Sequence, residues 1–185
     1  MNHIEEENRK RIQMLLDQTI DSEVPIGWKK KTFAVGGLTE IGFSKEKPNL
    51  LLIISSRGRG VVDCQIGELI ERDYEEDGDW IDEYNLVAKG IGGISNEIIS
   101  ISGLHGGGLP SCNKNGDSLS VLALNWPIID IVFAPSYKNL YIERFTKDCF
   151  KIFHDYELRA YGFSYDGQTF VIATSSEVNV YRLVN

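Results

Sequence analysis

The chain has 185 residues, 42% hydrophobic and 25% charged, enough for one ordinary packed core and incompatible with wholesale disorder. Its 27 acidic residues outnumber 19 basic ones, giving a formal charge of −8. That field repels phosphate backbones and anionic lipid, so it speaks against direct nucleic-acid or membrane binding and draws in a cationic protein.

The N-terminal stretch MNHIEEENRKRIQ lacks the apolar run of a signal peptide, and nothing approaches the roughly 18 apolar residues of a membrane span, so a cytoplasmic protein is expected. Ile4, Ile12, Leu15, Leu16 and Ile20 fall at helical spacing, with Glu5, Glu6 and Glu7 in the first turn, where they complement the helix dipole. This predicts an amphipathic helix over 3–20, closing an N-terminal segment 1–24 at Pro25 and Gly27. Residues 25–185 are expected as a single β domain.

Beyond Trp28 the runs Leu50–Ile54, Ile98–Ile101, Leu119–Leu124, Ile128–Phe133 and Phe170–Ala173 are short and rich in β-branched and aromatic residues. Turn clusters such as Asn115-Gly116-Asp117 and Asp166-Gly167 separate them. Such spacing reads as strands rather than helices. The exception is RDYEEDGDWIDEY over 72–84, expected as an exposed loop or one helical turn. Three cysteines, Cys64, Cys112 and Cys149, are odd in number and widely spaced; they argue against a disulfide framework and are expected as buried free thiols.

A repeat is visible. Gly42-Phe43-Ser44 recurs as Gly162-Phe163-Ser164, an offset of 162 − 42 = 120, and Ser55-Ser56 recurs as Ser175-Ser176, where 175 − 55 is again 120. Each copy reads turn, apolar strand, Ser-Ser, second strand; a poorer third copy starts at Phe133-Ala134-Pro135 and runs through Leu140 to Phe153. The pattern resembles the inner strands of WD40-type propeller blades, although no Trp-Asp ends a copy and no Gly-His opens one. With blades of roughly 40 residues, the length allows about four at most. The expected architecture is therefore a small or incomplete propeller-like array of antiparallel hairpins behind one N-terminal helix. The blocks 58–64, 103–110 and 157–164 are also similar to a family of short, uncharacterised bacterial proteins. That resemblance implies a single unit after residue 33 and no catalytic assignment.

Among chemistry-bearing motifs, His105-Gly106-Gly107-Gly108 looks like an esterase oxyanion loop, in which glycines let N–H groups converge on an anion. The nucleophile elbow is missing: Gly162-Phe163-Ser164-Tyr165-Asp166 lacks its last glycine, and no histidine follows Ser164. A glycine loop that permits tight turns is the simpler reading, with a small-molecule binder or hydrolase built on His105 as the alternative; a His105–His154 pair is a further geometric option. Gly90-Ile91-Gly92-Gly93-Ile94-Ser95 lacks the third glycine of a dinucleotide fingerprint and reads as a loop between strands. Cys149 and His154, an odd number apart on a strand, point to opposite faces, and no metal or cofactor is expected. The acidic segment Glu75, Glu76, Asp77, Asp79, Asp82 and Glu83, with Trp80 and Tyr84, is the best interaction candidate, since carboxylates steer and aromatics supply contact area. The reading is a non-catalytic protein-binding module, in one form an immunity-type inhibitor of a cationic toxin such as a nuclease. The competing forms are the His105-loop enzyme or binder and a structural subunit joined through the N-terminal helix.

Overall fold

The computed structural model describes residues 3–75 and 78–184. Its elements are α1 (His3–Leu16), β1 (Ile20–Asp21), β2 (Trp28–Ala34), β3 (Leu38–Phe43), β4 (Leu50–Ser55), β5 (Gly58–Asp63), β6 (Glu68–Asp73), β7 (Ile81–Asp82) and β8 (Val87–Lys89). These are followed by β9 (Ile98–Ser100), β10 (Ser102–Gly103), β11 (Ser118–Asn125), β12 (Ile128–Ala134), α2 (Glu143–Thr146), β13 (Phe150–Asp155), β14 (Ala160–Phe163), β15 (Thr169–Ala173) and β16 (Glu177–Leu183). The protein is mainly β, with one N-terminal helix and several antiparallel sheets. No described helix is long and apolar enough to cross a membrane.

The chain forms two compact units, Met1–Ile26 with Cys112–Glu157 and Gly27–Ser111 with Leu158–Asn185, which do not coincide with the division at residue 24. In the first unit a sheet ordered β1-β13-β12-β11 carries α1, whose Leu15 and Leu16 are buried with Leu122, Val132, Ala134, Leu140 and Cys149. The helix stops at Leu16, four residues short of the predicted end. The Thr19 hydroxyl bonds the Leu16 carbonyl at 2.7 Å, and the Ile20 N–H is taken by the Cys149 carbonyl at 2.9 Å. Ile20 therefore leaves the helical stripe and opens β1, parallel to β13. The third sequence copy is not a tight hairpin here: Phe133 pairs with Phe150, but residues 135–149, including α2, intervene.

The second unit holds sheets ordered β10-β3-β4-β5-β6, β14-β15-β16-β2 and β7-β8-β9. The two better copies of the repeat are the meanders β3-β4-β5 and β14-β15-β16. Phe43 pairs with Leu51 and Leu51 with Val62; in the other copy Phe163 pairs with Phe170 and Phe170 with Tyr181. The first strands correspond at offset 120, since 163 − 43 = 120, but from β4 onward the offset is 119, since 170 − 51 = 119, because the connecting loop is one residue shorter in the second copy. The Ser-Ser match at 120 thus slips by one, and the structural equivalent of Ser55 is Thr174. Both hydroxyls accept the backbone N–H two residues on, from Arg57 and Ser176, each at 3.3 Å, which is the same side-chain-braced turn.

Opposite faces of the two meanders meet. Ile41, Phe43, Leu51, Ile53 and Val62 of one share a core with Ala160, Val171, Ala173, Val178 and Val180 of the other. In the first meander the equivalents of Val171, Ala173 and Val180 are Leu52, Ile54 and Val61, and these pack instead against Ala88, Ile99 and Ile101. Each Gly-Phe-Ser glycine admits a neighbouring backbone on that face. A Cβ at Gly42 would lie 2.4 Å from the Ser100 carbonyl oxygen, and one at Gly162, at φ +145°, would lie 2.5 Å from the Leu109 Cβ.

Candidate interaction site

The acidic segment begins on the sheet. Arg72 and Asp73 belong to β6 and Ile81 and Asp82 to β7, with turns and bends among the described residues between them and no helical turn. Glu76 and Asp77 lie outside the described residues. Its base is organised by Arg59 of β5, buried at the pair Arg59–Asp73. The guanidinium donates from Nε and a terminal nitrogen to Asp73 Oδ2 at 3.1 and 2.9 Å and to the Lys89 carbonyl at 2.9 Å. It also stands 4.0 Å from a Glu75 carboxylate oxygen and lies over the Trp80 ring at 4.7 Å. Such a planar, delocalised cation can bond in its plane and stack on a ring together. The Glu75 N–H and Arg59 hold the Asp73 carboxyl below its usual range.

The two aromatics part company. Trp80 is 6% exposed and joins the core with Ala88 and Ile99, whereas Tyr84, in the turn between β7 and β8, is 94% exposed. Asp79, Asp82 and Glu83 are exposed beside it in sequence, and Glu75 is exposed at the other end. Asp82 braces the turn, accepting the Asn85 N–H at 2.9 Å and its side-chain amide at 2.7 Å, which keeps its carboxyl below the usual range.

His105 ties this turn to the sheet. Its Nδ1 lies 2.6 Å from Oε1 of Glu40, a residue 1% exposed on β3, and its Nε2 lies 3.6 Å from Oε2 of Glu83. The Glu40 hydrogen bond, assisted by the charges of Glu40 and Glu83, raises its pKa above the ordinary value, against a smaller opposing effect of desolvation. An imidazole with a carboxylate at each nitrogen favours the cation, which suits a clamp and opposes service as a free base. The glycine loop is likewise committed: Gly103 and Gly106 exchange backbone bonds at 2.8 and 3.2 Å, and a Cβ at Gly107 would lie 2.3 Å from the Ile101 carbonyl oxygen. Gly108 has open space around it.

His154 has its own partner. On β13 it stands opposite Asp130, with Nδ1 2.6 Å from Oδ1 of that buried carboxylate. Cys149, just before β13, is buried with α1, and a register shift at Ile131/Val132 breaks the strict alternation expected between it and His154. Cys64 and Cys149 are buried thiols, pushed up to about 12 and about 11 chiefly by desolvation. Cys112 corrects the expectation of three buried thiols: it is exposed, at an isolated bridge to Ser118. No group of three or more potential metal ligands occurs among the described residues. The Gly90–Ser95 segment runs between β8 and β9 through a single 3-10 turn, Gly92–Ile94.

Sequence reasoning missed Arg59 and Glu40. Each carried a signal: a lone charge inside an apolar strand (Gly58-Arg59-Gly60-Val61-Val62 and Leu38-Thr39-Glu40-Ile41) implies a specific buried partner. Comparison with family models, curated proteins and solved structures finds no match for this chain.

Proposed function

We propose that this chain is a non-catalytic protein-binding module that presents Tyr84, with Asp79, Asp82 and Glu83, to a cationic protein. The observation that carries the reading is a tyrosine 94% exposed among carboxylates, on a turn braced by Asp82 and adjoining the His105 clamp. An exposed aromatic in an acidic field has the composition of an interface anchor with electrostatic steering around it. An immunity-type protein that occludes the basic active site of a toxin such as a nuclease is the concrete form. The propeller-like reading of the fold rests on the second unit. There, equivalent meanders stack unlike faces, and the N-terminal strand β2 completes the C-terminal sheet beside β16.

The test is a binding titration against candidate basic proteins across salt concentrations. The complex should weaken as salt rises, and Tyr84→Ala should loosen it by about thirtyfold, the scale of an aromatic interface anchor. Asp79→Lys should slow association. A complex indifferent to both substitutions puts the interface elsewhere on the molecule.

A further inference from the structure

Val178, Val180 and Arg182 share one face of β16, and Phe33, Lys31 and Lys29 stand directly opposite them on β2. The inner end of this ladder is core: Val178 and Val180 are buried with Leu51 and Val62, and Phe33 packs against the same cluster. Toward the rim the ladder turns cationic. Arg182 faces Lys29, a like-charge pair directly across strands that is unfavourable unless something negative is near. Lys31 follows Lys29 on the same face. Its side chain lies across Gly67, where a Cβ would sit 2.3 Å from its Cδ, and its Nζ donates to the Ile66 carbonyl at 3.4 Å. The ammonium is therefore held rather than free to wander.

Lys29, Lys30, Lys31, Val180, Arg182, Leu183 and Val184 line a cleft of about 490 Å³, the size of a small-ligand site. Every charged side chain in its lining is basic, in a chain of net charge −8. Among the described residues Lys29, Lys31 and Arg182 make no ion pair.

We propose that this cleft binds a small phosphorylated organic molecule, its phosphoryl oxygens on Lys29, Lys31 and Arg182 and its organic part against Val180, Leu183 and Val184. Three cations around one opening exceed what a single carboxylate neutralises. A phosphomonoester or diphosphate brings about two negative charges or more and several acceptor oxygens, and a guanidinium fork suits them.

Lys89, exposed on β8 and outside the lining of the cleft, supplies the control for net charge. Calorimetric titration of the full chain at low salt uses inorganic pyrophosphate, ADP and a single-stranded oligonucleotide as probes. ADP should saturate one site and bind more tightly than pyrophosphate. Lys29→Gln and Arg182→Gln should each weaken both probes by about tenfold, as for loss of a charge-assisted bond. Lys89→Gln should leave both within about twofold, since it removes the same charge away from the cleft. Absence of saturable binding up to about 10 mM, far below any useful affinity, overturns the site. An equal loss from Lys89→Gln reduces it to net charge. ADP binding no tighter than pyrophosphate overturns the organic half. An oligonucleotide binding more tightly than ADP makes the cleft a polyanion surface and overturns the small-ligand assignment. Unfolding midpoints of the variants separate lost binding from lost folding.

Discussion

The meanders β3-β4-β5 and β14-β15-β16 have the same strand pairing and the same second turn, yet they are held by different means. In the second, the loop after Phe163 is self-sufficient: Ser164 Oγ donates to Asp166 Oδ1 at 2.6 Å, two residues on, and accepts the Thr169 N–H at 3.1 Å. In the first, Ser44 Oγ accepts the Lys47 N–H at 2.8 Å but donates to Glu97, far along the chain, at 2.5 Å. Where Ala160 faces Ala173 in one copy, Glu40 faces Ile54 in the other and recruits His105. A repeated backbone can thus be closed either by local hydrogen bonds or by long-range ones. The long-range version makes the first meander answerable to segments around residues 97 and 105.

The largest effect should come from the two glycines. Gly162→Val combines a forbidden φ with a backbone collision and should cost about 4 kcal/mol or more, while Gly42→Val, strained by collision alone, should cost about 3 kcal/mol, both read by urea unfolding. A value under about 1 kcal/mol at Gly42 would mean that β9 does not press on it as described. Next, Leu52→Ala and Val171→Ala probe equivalent positions facing different neighbours. Losses of about 3 and about 2 kcal/mol are expected, in proportion to the volume removed from each core. The comparison sharpens at the serines. Glu97→Ala should destabilise about as much as Ser44→Ala, about 1–2 kcal/mol, and leave the second loop's hydrogen-exchange protection unchanged. Asp166→Ala should do the reverse.

The smallest effect is a matter of pH. Because the folded-state pKa of His105 lies above its ordinary 6.5, the clamp's contribution is full below that value and is lost as pH rises through the folded pKa. Wild-type stability should therefore fall over that window relative to Glu40→Ala, which copies the alanine of the second meander and should remove this slope. Parallel pH profiles for the two proteins would dissociate His105 from the stability of the first copy.

Much of this was legible in residue order. Short β-branched runs between Asn/Asp/Gly turns marked β4, β9, β11, β12 and β15, and the recurrence of Gly-Phe-Ser marked equivalent strands before any coordinates. Other features were not. The one-residue shortening after Phe163 hid the true equivalence of Ser55 with Thr174, because a match of identical letters at one constant offset looked better than the register that folding selects. Tyr84 and Trp80 are indistinguishable as aromatics in an acidic run; only the packing of β7 and β8 on β5 buries one and exposes the other.

What the sequence by itself determined is what depends on local chemistry: strand periodicity, turn residues, the start of α1, and the overall negative field. Tertiary structure alone decided where charges meet, because Glu40 with His105, Arg59 with Asp73, and Lys29 with Arg182 are brought together by sheet register between stretches distant along the chain. Linear spacing cannot carry that information. A buried carboxylate or a row of lysines acquires its meaning only from the strand that folding sets opposite it.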